Sequence, residues 1–218
     1  MLLNLDFDAA VFDMDGTLLN TMPYWRFTAL EYALARQWPV YADLVEKMYR
    51  TSSRKLVYEY AARQGVVPDH KEMVHELEGY MNRHYLCDAG LKDPDVPRFL
   101  ERLRAHGIRM CVATGSPRAY ACNGLRRLGL LDFFEFVTDN YEMPLTKDRP
   151  GYFDLLAERL GVEPGRCWVF EDALYAMKSA RASGMRICAI EDDAQLADRE
   201  AIRDLADLYI RRYAELMD

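Results

Sequence analysis

Positive charge is in short supply in this sequence. Its 28 lysines and arginines face 35 aspartates and glutamates, a formal net charge of −7, so no electrostatic footprint for nucleic acid is visible across the whole chain. No CxxC pair occurs: Cys87, Cys111, Cys122, Cys167 and Cys188 are scattered and odd in number. That argues against a disulfide framework or a zinc site and favours reduced thiols in a cytoplasm, with Cys111 and Cys188 expected to be small buried residues. No apolar stretch approaches the length of a membrane span. The opening MLLNLDFDAA lacks a basic segment and carries two aspartates, so no signal peptide is expected. Internal repeats and low-complexity linkers are missing too. The four histidines, His70, His75, His84 and His106, share no ligand spacing and are read as surface residues.

What is present is an ordinary globular composition, 50% hydrophobic over 218 residues, enough for one good-sized core with a smaller companion. Short apolar runs recur: AAVF before Asp13, IRMCVAT at 108–114, FFEFVT at 133–138, CWVF at 167–170, MRICAI at 185–190 and ADLYI near the end. Between several of them lie helical patterns. Val96, Phe99, Leu100 and Leu103 share helical spacing before Gly107, a plausible C′ glycine, and Phe153, Leu156 and Leu160 repeat the arrangement. This alternation predicts βαβ units and an α/β fold with a Rossmann-like, mostly parallel sheet.

Residues 18–92 break the rhythm, with no strand signal and four helical stretches, at 23–37, 41–50, 52–65 and 69–85. A simple crossover needs only a dozen or so residues. The expectation is an all-helical cap over 18–92 inserted into a discontinuous core of 1–17 and 93–218, with LKDPDVP as the return.

Asp13 and Asp15, in VFDMDGTLLN, stand where the first strand ends, the edge at which ligands collect in open parallel sheets. Two close carboxylates repel, so a shared cation or a proton makes the pairing cheaper. An EF-hand loop fails, because aligning the pair to its third and fifth positions puts Val11 and Met22 where oxygen ligands are required. The plain alternative is a strand ending in a turn that Gly16 eases. Further on, ATGSPR closes a second strand on Thr114. Gly115 turns the chain, Ser116 is expected to cap a helix and Pro117 to fill its first position, leaving backbone N–H groups as an anion site. Lys147 falls in a polar loop, a setting in which lysine is usually solvated. Glu171 and Asp172 form a second acidic pair at the end of CWVF. The acidic tract 191–207 reads as a solvated helix with its entry loop.

With DxDGT, threonine, lysine and ED in that order, the sequence resembles the haloacid dehalogenase superfamily of phosphohydrolases. The likeness covers nearly the whole chain and extends to the run from Gly151 to Met185. It is nearest the subgroup with a helical cap, which includes phosphoglycolate phosphatases and β-phosphoglucomutases. The resemblance implies a Mg²⁺-dependent phosphatase that hydrolyses a small-metabolite phosphomonoester through an aspartyl phosphate. Asp13 would be the nucleophile and Asp15 the general acid and base. Thr114, Gly115 and Lys147 would hold the phosphoryl oxygens, and Asp13, Asp15, Glu171 and Asp172 the metal. A sugar phosphomutase on the same core, or a non-catalytic member, are the alternatives. Trp25 and Arg54 are the candidates for substrate discrimination. The chain departs from the family pattern at Ala173, where many relatives carry serine, at Ala176, often glycine, and at Asp148, usually proline. Asp148 is expected to put a negative charge close to Lys147.

Overall fold

Strand β1 (Ala9–Phe12) is buried at every position and has strands on both edges, so its backbone groups are all spent inside the sheet. In the computed structural model, which describes residues 3–48 and 50–217, β1 lies inside a six-stranded sheet of order β5-β4-β1-β6-β7-β8. The others are β4 (Arg109–Thr114), β5 (Phe136–Asp139), β6 (Cys167–Glu171), β7 (Arg186–Ile190) and β8 (Leu208–Ile210). Every pairing in it is parallel. From β1 the chain builds outward to β4 and β5, then returns across β1 to add β6, β7 and β8. That reversal of direction opens a crevice at the carboxyl ends of the central strands.

Helices α5 (Val96–Ala105), α6 (Arg118–Arg127), α7 (Tyr152–Leu160), α8 (Leu174–Ala182) and α9 (Arg199–Leu205) make the crossovers. The apolar spacing read from the sequence is the buried face: Val96, Phe99, Leu100 and Leu103 on α5, and Phe153, Leu156 and Leu160 on α7. Helix α5 ends as expected. Gly107 takes φ +71, and the N–H groups of Gly107 and Ile108 close onto the carbonyls of Arg104 and Leu103, a Schellman termination that needs a left-handed residue. Fully parallel sheets are covered on both faces. On one, Val11, Cys111, Ala113, Val169 and Ile187 meet α7 and α8. On the other, the Phe12 ring stacks on Phe170 at 4.5 Å and meets Phe99 and Phe134 edge-on at 6.4 and 5.9 Å.

A second unit, Thr21–Ala89, is all helix: α1 (Met22–Ala35), α2 (Ala42–Lys47), α3 (Ser53–Arg63) and α4 (His70–Cys87). Its own core joins Tyr32 and Ala33 of α1, Leu44, Leu56, Val57 and Tyr60, and Met73 and Leu77 of α4. Asp69 caps α4 by accepting from the N–H groups of Lys71 and Glu72 at 2.9 and 3.0 Å. Arg36 ties α1 to α4 through two hydrogen bonds to Glu76, at 2.8 and 2.7 Å. Tyr49, inside the stretch read as a helix over 41–50, lies outside the described residues. The chain passes between the units at Asn20/Thr21 and Ala89/Gly90.

Several expectations change. Two-residue strands β2 (Leu19–Asn20) and β3 (Gly90–Leu91) pair antiparallel within a stretch that carries no strand signal, because two residues are too few to show a period. The run 133–138 yields a strand only from Phe136. Leu131–Phe133 form a 3₁₀ turn, which places the Phe134 ring under Phe12. Three histidines are exposed, but His84 is half-buried, stacked on Tyr24 at 4.4 Å and 2.9 Å from Asp88. Cys111 and Cys188 are buried, as is Cys167. No helix among the described residues is long and apolar enough to cross a membrane.

Phe12 anchors the aromatic layer directly beneath the carboxyl end of β1. Replacing Phe12 with Ala should cost about 3–5 kcal/mol of unfolding free energy, read from urea denaturation. A loss below about 1 kcal/mol would mean that the layer collapses freely around the gap.

Candidate active site

The carboxyl ends of β1, β4 and β6 deliver Asp13, Thr114 and Glu171 to one rim, because the three strands are parallel neighbours in register. The ladder runs one step past β1, where the Asp13 N–H donates to the Phe170 carbonyl at 2.9 Å. The chain then tightens around Met14, whose carbonyl accepts from the N–H groups of Thr17, Leu18 and Leu19 at 3.3, 3.0 and 2.9 Å. Gly16 makes this turn possible with φ +89. Met14 is fully buried.

Lys147 is the unexpected member. It sits in a loop yet is only 1% exposed. Its ammonium donates to Asp13 Oδ1 at 2.6 Å, Glu171 Oε2 at 2.7 Å and the Ala113 carbonyl at 2.9 Å, which uses all three of its hydrogens. The loop that brings it there is pinned at both ends. At the start, Asp139 accepts from the N–H groups of Tyr141, Glu142 and Arg118 at 2.8, 2.9 and 2.6 Å, and Asn140 Oδ1 accepts from the Lys147 N–H at 3.3 Å. At the end, Ser179 on α8 donates its hydroxyl to the Arg149 carbonyl at 2.7 Å.

Asp13, Glu171 and Asp172, all buried, each offer a carboxylate oxygen within 4.8 Å of the others. Three carboxylates against one ammonium leave two negative charges unbalanced at a site largely closed to water. Each resolved pKa shift in the cluster answers that deficit. Burial, reinforced by the charge of Glu171 and resisted by Lys147, pushes Asp13 up to about 8. Burial, with Glu171 and Asp13, also raises Asp172 well above the usual carboxylate range. Burial works against the Lys147 charge, but Asp13 and Glu171 more than offset it and hold its pKa above that of an ordinary lysine. The site takes up positive charge wherever it can. Hard oxygen donors, a two-charge deficit and burial together fit a divalent cation.

Asp15 accepts at Oδ2 from the Ser116 hydroxyl, in the turn after β4, at 2.8 Å, and its charge acts on Asp13; of the four carboxylates expected to hold metal, Asp13, Glu171 and Asp172 form the tight group. Ser116 does not cap the helix: α6 begins at Arg118 after Pro117, and Asp139 accepts the Arg118 N–H in its place. Thr114, fully buried, accepts from the Ser116 N–H at 3.0 Å and keeps its own hydroxyl hydrogen to donate. Gly115 lies in the turn between them, beside Asn140. The Asp148 carboxylate does not lean on Lys147. It accepts from the Thr146 hydroxyl and lies 3.7 Å from Arg149, half-exposed, while Lys147 points inward. Ala173 occupies the position before α8, where its N–H donates to Glu171 Oε1 at 3.1 Å, and Ala176 packs in the core. Trp25 and Arg54 belong to the helical unit: the Ser53 hydroxyl donates to the Trp25 carbonyl, and Arg54 lies 3.8 Å from Glu78.

The sequence reading missed Ser116 as a partner of Asp15, Asp139 and Ser179 as anchors of the lysine loop, and Gln195, whose Nε2 donates to Asp172 Oδ2 at 3.2 Å. Ser116 lies in ATGSPR and Ser179 in the run from Gly151 to Met185, but the contacts of Ser116 with Asp15 and of Ser179 with Arg149 join segments distant in the chain.

A buried carboxylate held by lysine beside a cation-ready acidic pair, on the switch point of a parallel sheet, fits a hydrolase of the phosphoryl-transfer kind. The family model for haloacid dehalogenase-like hydrolases matches residues 7–184, and the chain belongs to that family. It is 34% identical over 183 residues to a fructose-1-phosphate phosphatase of Escherichia coli, covering 80% of this chain and 92% of the relative. It is 26% identical over 181 residues to a phosphorylated carbohydrates phosphatase of Thermotoga maritima, covering 82% of each. The crystal structure of CbbY from Rhodobacter sphaeroides in complex with phosphate matches the fold with a TM-score of 0.78 at 20% identity, over 96% of each chain.

The charge deficit makes a prediction about pH. The native pKa of Asp13, about 8, lies above its ordinary value of 3.8. Between those values the native state holds a proton that the unfolded chain has lost, so stability of the cation-free protein falls as pH rises through that window. A divalent cation binds the deprotonated carboxylates, so its stabilising effect should be larger near pH 8 than near pH 5. Urea titrations with chelator and with excess cation at both pH values would show this. Equal stabilisation at the two would contradict the raised pKa of Asp13.

Proposed function

We propose that this protein is a Mg²⁺-dependent phosphatase that hydrolyses the phosphomonoester of a small soluble metabolite through an aspartyl phosphate formed on Asp13. The observation that carries this reading is the buried Lys147 ammonium, hydrogen-bonded at once to Asp13 and Glu171. It brings a nucleophile, a fixed positive charge and a cation-binding carboxylate to one point. The names of the relatives place phosphorylated carbohydrates first among substrates to try. The five free cysteines support a reducing, cytoplasmic setting.

In this mechanism Asp13 attacks phosphorus with a carboxylate oxygen, and the bond from phosphorus to the leaving alkoxide breaks. Asp15, as the acid, gives its proton to that alkoxide; as the base, it later takes a proton from the water that attacks the aspartyl phosphate. Its bond from Ser116 orients the carboxylate for both transfers. Lys147 opposes the rise that burial imposes on the Asp13 pKa and faces charge on the transferring group, with the Thr114 hydroxyl and the turn N–H groups at Gly115 holding further phosphoryl oxygens. A bound Mg²⁺ supplies the charge that offsets repulsion between a carboxylate and a phosphate dianion. Asp13, Glu171 and Asp172 would hold it. Trp25 and Arg54, brought near each other by the Ser53 bond, are the proposed substrate-discriminating pair.

A metabolite-phosphate panel, scored for free phosphate with and without Mg²⁺, tests the reading. Asp13→Asn should abolish turnover. Asp15→Asn should lower kcat by about 10²–10⁴-fold. Phosphate release that survives Asp13→Asn would overturn the covalent route. Incubation with glucose 1-phosphate and its bisphosphate should give free phosphate; an isomerised sugar phosphate in its place would identify a mutase. Arg54→Ala should raise KM for the preferred ester more than it lowers kcat, and an unchanged KM would remove Arg54 from the specificity set.

A further inference from the structure

We infer that Gln195 is a positioning residue for the cation site, a role that rests on the divalent-cation reading above and carries it one contact further out. The cluster oxygens are not equally committed. Glu171 gives Oε2 to Lys147 and Oε1 to the Ala173 N–H, and Asp13 gives Oδ1 to Lys147. Asp172, 3% exposed, accepts at Oδ2 from Gln195, its one side-chain donor among the described residues. A carboxylate anchored through one oxygen presents the other in a fixed direction. That makes Asp172, like Asp13, able to act as a directed ligand, and Gln195 the residue that sets the direction of Asp172.

Gln195 sits at a kink within the 3₁₀ segment Asp193–Asp198, with non-helical φ −105 and ψ 17, and its N–H donates to the Asp192 carbonyl at 3.1 Å. The Asp192 side chain accepts the Ala194 N–H at Oδ1, 2.8 Å, and the Lys92 ammonium at Oδ2, 2.5 Å. Lys92 and Asp192 are 12% and 7% exposed in their side chains, so this pair is shielded from water and resists screening. Lys92 is fixed in turn by its N–H to the Leu18 carbonyl at 2.8 Å. The chain of contacts therefore runs from Lys92 through Asp192 and its turn to Gln195 and Asp172. The acidic tract read from the sequence as a solvated helix thus begins with a buried clamp on the metal side of the site.

Mg²⁺ demands near-ideal octahedral geometry, whereas Ca²⁺ accepts variable coordination. Loss of an orienting contact should therefore fall on Mg²⁺. Replacing Gln195 with Met keeps the length and removes the donor. Calorimetric titration of Gln195→Met should show Mg²⁺ affinity lowered about tenfold or more, the scale typical of outer-shell changes, with Ca²⁺ affinity lowered markedly less. Cation-free urea stability should stay close to that of the unaltered protein. Asp192→Ala, which frees the turn and strands Lys92, should reproduce the selective Mg²⁺ loss. Equal Mg²⁺ affinity in Gln195→Met and the unaltered protein would overturn the inference, as would equal losses for the two cations. Failure of the unaltered protein to bind either cation would instead overturn the cation reading beneath it.

Discussion

A single buried ammonium organises the site. Lys147 neutralises Asp13 and Glu171 in a place with almost no access to water, where charge is expensive and interactions between charges are strong. One positive charge does not balance three carboxylates. Burial and the remaining deficit raise the pKa values of Asp13 and Asp172, and the deficit suits the cluster to a divalent cation. Pairs of this kind add little net stability when compared with apolar packing, but removing one partner leaves an isolated buried charge at a cost of about 3–5 kcal/mol. The arrangement is better understood as a poised electrostatic state than as a structural brace.

The fold exists to hold that state still. The aromatic layer of Phe12, Phe99, Phe134 and Phe170 supports one side of the central strands, and the aliphatic face against α7 and α8 supports the other. The strand ends therefore cannot move independently. Side chains that touch no reacting atom do the finer placement: Asp139 and Ser179 fix the loop of Lys147, Ser116 holds Asp15, and Gln195 holds Asp172. The supporting residues come from β5, α8, the turn after β4 and the segment after β7, so no single element holds the site.

Much of this was readable in the linear chain, for definite reasons. Buried parallel strands must be apolar at every position, so AAVF and CWVF announce themselves. The buried faces of α5 and α7 follow the helical period, and Gly107 marks the end of α5 by a backbone angle that other residues adopt only with strain. Where the signal failed, physics gives the cause. Strands β2 and β3 are too short to display a period, and Phe134 satisfies the core through its ring while its backbone is still leaving a 3₁₀ turn. His84 looked like surface because its stacking partner, Tyr24, lies on another helix.

Taken alone, the sequence determined the alternation of strands and helices and the interruption by a helical segment, and its resemblance to a family singled out Asp13, Asp15, Thr114, Lys147, Glu171 and Asp172 as candidates for chemistry. The first two are local properties, written in periodicity; the candidates rest on the resemblance. The tertiary structure alone decided that a loop lysine is buried, that Asp15 turns to Ser116 while three other carboxylates converge, and that Gln195 completes the acidic side. Burial and charge balance are sums over neighbours brought together from segments between 23 and 134 residues apart, and no local pattern records which neighbours those will be.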